Sequence, residues 1–226
     1  MILGFKLDIR NRLRRFVILG VVATAVVASP LMGALRAETK TAQTILVLGD
    51  SLSAEYGLPR GSGWAHLLEE KLAHESISAR VINSSISGET TSGGLARLPS
   101  LMVEHKPTIL VIELGANDAL RGLAMRGTEK NLSQMIAQGQ KNGAKVLLLG
   151  MQVPPNFGPA YTKEFSEVFV RTSKMQHSAL VPFFLKGVAD APNANDLFQA
   201  DGIHPIAKAH PTLLANVWPE LKKLLQ

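Results

Sequence analysis

A three-layer α/β/α sandwich around a five-stranded parallel sheet is the fold this 226-residue sequence predicts. Two observations predict it. Short apolar runs rich in β-branched residues alternate with segments of helical periodicity, the order that builds βαβ units. Within the runs nearly every side chain is apolar, as a strand requires when helices cover both faces of its sheet. Ligands in such sheets sit at the carboxyl ends of the strands, near the point where strand order reverses. Chemistry is therefore to be sought where each run ends.

The first strand is TILVL, Thr44 to Leu48, and it runs straight into Gly-Asp-Ser at 49–51. Trp64, Leu67, Leu68 and Leu72 then recur at helical spacing. ARVIN, Ala79 to Asn83, is the second strand and is followed by SISGET. Helix is expected from Gly94 to His105, with Pro99 forcing a kink or a restart at a first-turn position. TILVIEL, Thr108 to Leu114, is the third strand and ends in GAND. Leu132, Met135 and Ile136 form the next helical stripe, with Thr128 as its expected cap. KVLLLGM, Lys145 to Met151, is the fourth strand, and Phe165, Val168 and Phe169 mark another helix. ALVPFF, Ala179 to Phe184, is the fifth strand. A last helix near Pro211 to Leu225 carries Leu213, Leu214, Val217, Leu221 and Leu224, with Pro219 set against its continuity. Right-handed crossovers join the strands.

The formal net charge of +6 is unevenly placed. Residues 1–37 hold six of the 24 basic residues and one of the 18 acidic ones, leaving 18 against 17 in the rest. That body is near neutral, and no basic stripe argues for a nucleic-acid partner. The leader itself has a cationic stretch, an apolar segment from Phe16 to Ala28, then small residues and Pro30. This is the layout of a secretory signal peptide. The apolar segment is shorter than the roughly 20 residues a spanning helix needs. Cleavage after Ala28, Ala34 or Ala37 is possible, and a retained N-terminal anchor is the alternative. The expected organisation is thus a signal peptide or anchor over 1–37 and one domain over 38–226. Export to the periplasm is the expected localisation, membrane-anchored if the leader stays. The chain has no cysteine, so thiol nucleophiles, thiolate metal sites and disulfides are excluded.

A serine at the end of a buried strand raises the question of a nucleophile, and a serine hydroxyl needs a neighbouring base. Of six histidines, His66, His74, His105 and His177 fall in or beside helices as surface or packing residues, and His210 precedes Pro211. His204 stands apart in DGIHP, three residues after Asp201. At that spacing in a turn the carboxylate can accept a hydrogen bond from one imidazole N–H and leave the other nitrogen for serine. Gly202 permits the turn, and Pro205 restricts the backbone of His204. Taken alone, Asp-x-x-His also fits a helix cap or a metal pair. Acyl transfer further needs donors aimed at an oxyanion. The Ser51 N–H, the Gly88 N–H and the Asn117 side-chain amide all fall on strand-end segments. Taken singly, Gly88 also reads as a turn residue, Asn117 as a loop residue bonding its own backbone, and Ser51 as a helix cap.

In the order GDS, Gly, GxND and DxxH, these pieces resemble the GDSL or SGNH hydrolase family. The resemblance covers nearly all of the chain after the leader. GDSLSAEYGL, INSSISGETTSGGLARLP, ELGANDALRG and DGIHP look most like its bacterial exported branch of thioesterases, lysophospholipases and arylesterases. The resemblance implies the flavodoxin-like SGNH hydrolase fold and a serine esterase that works through an acyl-enzyme. It implies Ser51 as nucleophile, His204 as general base and then acid, and Asp201 as the residue that orients the imidazole. Ser51 N–H, Gly88 N–H and the Asn117 amide would form the oxyanion hole. Asp50, Asp118 and Ser53 receive structural work, such as bonding loop amides. A receiver-like or metal-binding use of Asp50 has no HExxH or acidic cluster to support it. No metal or organic cofactor is implied.

The implied partner is a small-molecule ester or thioester, including aryl esters, acyl thioesters and lysophospholipids of a membrane. Leu120 and Leu123, just after Asn117, are candidate walls for an acyl chain, or else simply pack their loop. A carbohydrate O-acetyl esterase is the second enzymatic reading. A catalytically silent lipid-binding envelope protein is the rival from another class.

Overall fold

The computed structural model describes residues 42–226. The signal-peptide or anchor reading of 1–37 lies outside the described residues. Five strands form one parallel sheet: β1 (Gln43–Gly49), β2 (Ala79–Asn83), β3 (Ile109–Glu113), β4 (Lys145–Leu149) and β5 (Ala179–Val181), in the order β2-β1-β3-β4-β5. Helices α1 (Trp64–His74), α2 (Thr91–His105), α3 (Ala116–Leu120), α4 (Met125–Lys141), α5 (Pro159–Gln176) and α6 (His210–Leu224) connect and cover it. α1 pairs with α6, and α4 packs between α2 and α5, so the sheet is clad on both faces. This is the three-layer sandwich that the alternating pattern predicts. Ile45 to Leu48 and Ile109 to Ile112 are fully buried, because a strand between two helical layers has no solvent face. Among the described residues no helix is long and apolar enough to cross a membrane.

The structure corrects several local expectations. Pro99 does not divide its helix: α2 is continuous from Thr91, capped by the Thr90 hydroxyl, which accepts from Gly93 N–H at 3.3 Å. Pro99 and Pro219 both lie on exposed positions, where the carbonyl that loses its partner can face water. Thr128 does not cap α4. The helix starts three residues earlier at Met125, and Thr128 is buried within it. The fifth strand stops at Val181 because Pro182 has no N–H to give to a ladder. α3 is a five-residue helix where a loop was expected.

Strand order reverses between β1 and β3, since β2 lies on one side of β1 and the later strands lie beyond β3. Gly49 pairs in register with Glu113, so the segments after both strands emerge side by side. Ile86 N–H donates to Gly49 O at 3.0 Å and brings the segment after β2 to the same rim. α2 can approach the sheet closely because it presents Gly94 there: a Cβ at that position would stand 2.4 Å from a Leu114 methyl.

Candidate active site

β1 ends in a tight turn and not in a helix; the next helix starts at Trp64, with Gly63 as its cap. Ser51 is therefore no helix cap. Asp50 builds the turn: its carbonyl accepts from Ser53 N–H at 3.2 Å and Ala54 N–H at 2.9 Å, and its Oδ1 accepts from Leu52 N–H at 3.0 Å. This leaves Ser51 at the apex. Its Oγ lies 2.8 Å from His204 Nε2, across 153 residues of chain.

His204 is held by the turn that begins at Asp201. Asp201 Oδ1 accepts from Ile203 N–H at 2.9 Å and His204 N–H at 3.0 Å, while Oδ2 lies 2.6 Å from His204 Nδ1. Gly202 makes the turn with φ +66°, a left-handed conformation that favours glycine. These contacts, led by the His204 backbone N–H, hold the Asp201 carboxyl down at about 2. The acid thus accepts from Nδ1–H and leaves Nε2 free to accept from Ser51. The segment is pinned by an antiparallel bridge between Phe198 and Pro205 and by Gln199 N–H donating to His204 O at 2.7 Å. Gln199 Nε2 also donates to Tyr56 O at 2.9 Å, and the Tyr56 ring sits 4.4 Å from the imidazole.

Gly115, at φ +123°, turns the chain from β3 into α3, where Asn117 donates from Nδ2 to Asp50 Oδ2 at 2.9 Å. Gly88 turns with φ +78°, and its carbonyl accepts from Arg121 Nη2 at 2.8 Å. Among the described residues neither Ser51 N–H nor Gly88 N–H has a protein acceptor. The structure therefore brings Ser51, His204 and Asp201 into one hydrogen-bonded line, with Asn117 bonded to Asp50 next to Ser51 and the Gly88 turn tied to the α3 end by Arg121. Leu120 and Leu123 follow on the same segment and are exposed, not packed into the core.

Two acids beside the motif residues are structural. Asp118 is buried and accepts from Thr91 N–H at 2.8 Å, the Thr91 hydroxyl and the Thr128 hydroxyl at 3.2 Å, joining α3 to α2 and α4. Ser53 is buried, accepts the Trp64 indole N–H at 3.0 Å and donates to Glu113 Oε2 at 2.8 Å. Glu113 is the residue that sequence reasoning missed. It looks like the polar tail of a strand, yet it is fully buried and also accepts from Asp50 N–H at 3.3 Å. His210 is likewise structural: its Nδ1 accepts from Trp64 N–H at 3.0 Å and supplies the cap that Gly63 cannot.

The sequence profile of the GDSL-like Lipase/Acylhydrolase family matches residues 47–211, from β1 to the start of α6. The chain belongs to this family. This GDSL hydrolase is 52% identical over 191 residues to the esterase TesA of Pseudomonas aeruginosa, covering 84% of this chain and 94% of that protein. It is 38% identical over 184 residues to the thioesterase 1/protease 1/lysophospholipase L1 of Escherichia coli K12, covering 81% and 86% respectively. Its fold is similar to that of a psychrotrophic esterase EstA from Pseudoalteromonas inhibited by monoethylphosphonate. The TM-score is 0.76 at 40% identity, with 81% of this chain and 98% of that one covered. This GDSL hydrolase is a serine esterase.

Proposed function

We propose that Ser51, His204 and Asp201 carry ester hydrolysis through an acyl-enzyme, and that the Ser51 N–H, Gly88 N–H and Asn117 amide hold the oxyanion. The continuous line from Ser51 Oγ to His204 Nε2 at 2.8 Å and from His204 Nδ1 to Asp201 at 2.6 Å carries this reading. As Ser51 Oγ attacks the carbonyl carbon, its proton passes to Nε2, and Asp201 stabilises the imidazolium. The carbonyl oxygen gains the negative charge, and free N–H donors meet it. Collapse of the tetrahedral adduct expels the alcohol or thiol, which takes the proton from Nε2. Water then attacks the acyl group with His204 again as base and returns Ser51.

Carboxylic esters and acyl thioesters are the proposed substrates, with aryl esters and lysophospholipids among them. The E. coli relative's name and the exposed apolar side chains of Leu120, Leu123 and Tyr56 support this over a purely acetyl-specific reading. The leader's layout supports export to the periplasm. The deciding assay is hydrolysis of p-nitrophenyl acetate, butyrate and octanoate by the leaderless protein. Ser51→Ala should abolish turnover on all three; surviving turnover would remove Ser51 from the mechanism. Replacing Leu120 and Leu123 together with Ala should lower kcat/KM for octanoate about tenfold and for acetate less than twofold, on roughly one to two kcal/mol of lost apolar contact. An unchanged chain-length profile would remove these leucines from the acyl site.

A further inference from the structure

Behind the nucleophile turn lie two buried carboxyl groups, of which hydrolysis needs neither for proton transfer. Glu113 ends β3 fully buried, and Asp50, almost as buried, follows β1 beside it. No basic side chain pairs with either among the described residues. Two adjacent carboxylates cannot both stay ionised in such a place.

The hydrogen bonds say which one keeps the charge. Asp50 uses both oxygens as acceptors, Oδ1 for Leu52 N–H and Oδ2 for Asn117 Nδ2. Ser53 Oγ takes the indole N–H of Trp64, so its single proton points to Glu113 Oε2, which also accepts from Asp50 N–H. Glu113 Oε1 accepts from nothing among the described residues. The Glu113 proton therefore belongs on Oε1. Burial, reinforced by the charge of Asp50, raises Glu113 well above the usual carboxylate range, whereas Asp50 rises only to about 6.

We propose that Glu113 is a positioning residue: kept neutral behind the turn, it leaves Asp50 as the single carboxylate and so fixes which end of the Asn117 amide faces the oxyanion. An anionic Asp50 accepts one Nδ2–H of Asn117 and leaves the other for substrate. A protonated Asp50 could donate to Asn117 Oδ1 and turn the amide around, presenting a second acceptor to a developing negative charge. The inference rests on the proposed oxyanion role of Asn117. Among the described residues the titratable groups that face Asp50 are Glu113 and, from the C-terminal turn, His204, and the titratable group that faces Glu113 is Asp50.

The test uses Glu113→Gln, Glu113→Leu, Asn117→Ala and the Glu113→Leu/Asn117→Ala double variant of the leaderless protein, with p-nitrophenyl butyrate at pH 8. Gln is a neutral isostere, so Glu113→Gln should hold kcat within about threefold of wild type. Glu113→Leu is also neutral but removes the acceptor of Asp50 N–H and Ser53 Oγ that seats the Asp50 carboxylate against Asn117, and it should lower kcat about tenfold with KM within twofold. Asn117→Ala should lose on the order of a hundredfold, and the double variant should lose no more than Asn117→Ala alone, because Glu113 acts through that amide. Infrared difference spectra of wild type against Glu113→Gln at pH 8 should show a protonated carboxylic acid that the variant lacks, whether or not Glu113→Leu folds. Absence of that band, or a kcat loss in Glu113→Gln as deep as in Glu113→Leu, overturns the proposal. So do losses that multiply in the double variant, which would make Glu113 merely structural. An Asn117→Ala variant with wild-type kcat would instead sink the oxyanion reading itself, and the Glu113 proposal with it.

Discussion

Asp50 and Asp201 make the same local device in opposite surroundings. Each follows an ordered strand or bridge, each accepts the N–H two residues ahead, and each uses its other oxygen to orient a group of the site. Asp201 sits at the rim, with 37% of its side chain exposed, and hydrogen bonds with His204 and Ile203 lower it to about 2. Asp50 lies beneath the rim, where burial outweighs similar hydrogen bonds and raises it to about 6. Burial, more than local turn geometry, thus sets how firmly each aspartate keeps its charge. The exposed one is secure across the working range, while the buried one needs its neighbour to take up the proton.

Asp201→Asn should give the larger loss. Asp201 Oδ1 is committed to two backbone N–H groups. In the variant the carbonyl oxygen stays with them and Nδ2 replaces Oδ2. That amide would donate to His204 Nδ1, place the ring proton on Nε2 and leave nothing to accept from Ser51. A fall in kcat of about 10³–10⁴-fold is expected, with a modest fall in thermal midpoint at pH 7, since the stability the lowered Asp201 carboxyl contributes there is lost but is largely screened at an exposed site. A loss under tenfold would show that Asp201 does not set the tautomer.

Asp50→Asn should cost less activity, about 10–100-fold in kcat, because in the proposed mechanism it disturbs one oxyanion donor and spares the base. Its stability should diverge from that of Asp201→Asn. The folded state holds the Asp50 proton up to about 6, whereas the ordinary aspartate value is 3.8. Between those values the folded state binds more protons, so wild-type stability falls as pH rises. The variant lacks this cost, on the order of 2–3 kcal/mol by the size of the shift. Its thermal midpoint should therefore gain on wild type from pH 4 to pH 7 and level off above. Asp201 has the opposite sign: its contribution is present above 3.8 and is lost as pH falls toward about 2. Parallel midpoint curves for wild type and Asp50→Asn would refute the contrast.

The same contrast explains what could be read without the structure. DGIHP carries its partners within three residues, and the apolar strands announce themselves by composition, so the sheet and the meeting of Ser51, Asp201 and His204 at its rim are legible in the sequence. Glu113 was not, because the atoms that give it meaning, Ser53 Oγ and Asp50 N–H, lie 60 and 63 residues away. α3 was missed since five residues carry less than two turns of periodicity. Thr128 looked like a cap because threonine favours that position, but its hydroxyl is used by Asp118. Tertiary partners, invisible to a local pattern, decided Glu113 and Thr128.

Arg121→Ala is the smallest change that still probes the rim. The guanidinium donates to Gly88 O and ties the turn after β2 to the end of α3. It sits at the exposed edge, where water can replace the lost donor, and the left-handed turn at Gly88 needs no side chain to hold it. Positioning by an exposed contact should therefore matter far less than positioning by Asp50 from below. A two- to threefold fall in kcat/KM is expected, with the thermal midpoint within about 2 °C of wild type, consistent with a surface substitution. A loss approaching that of Asp50→Asn would mean that the Gly88 N–H depends on Arg121 for its direction. The exposed tie would then be as decisive for the oxyanion as the buried one.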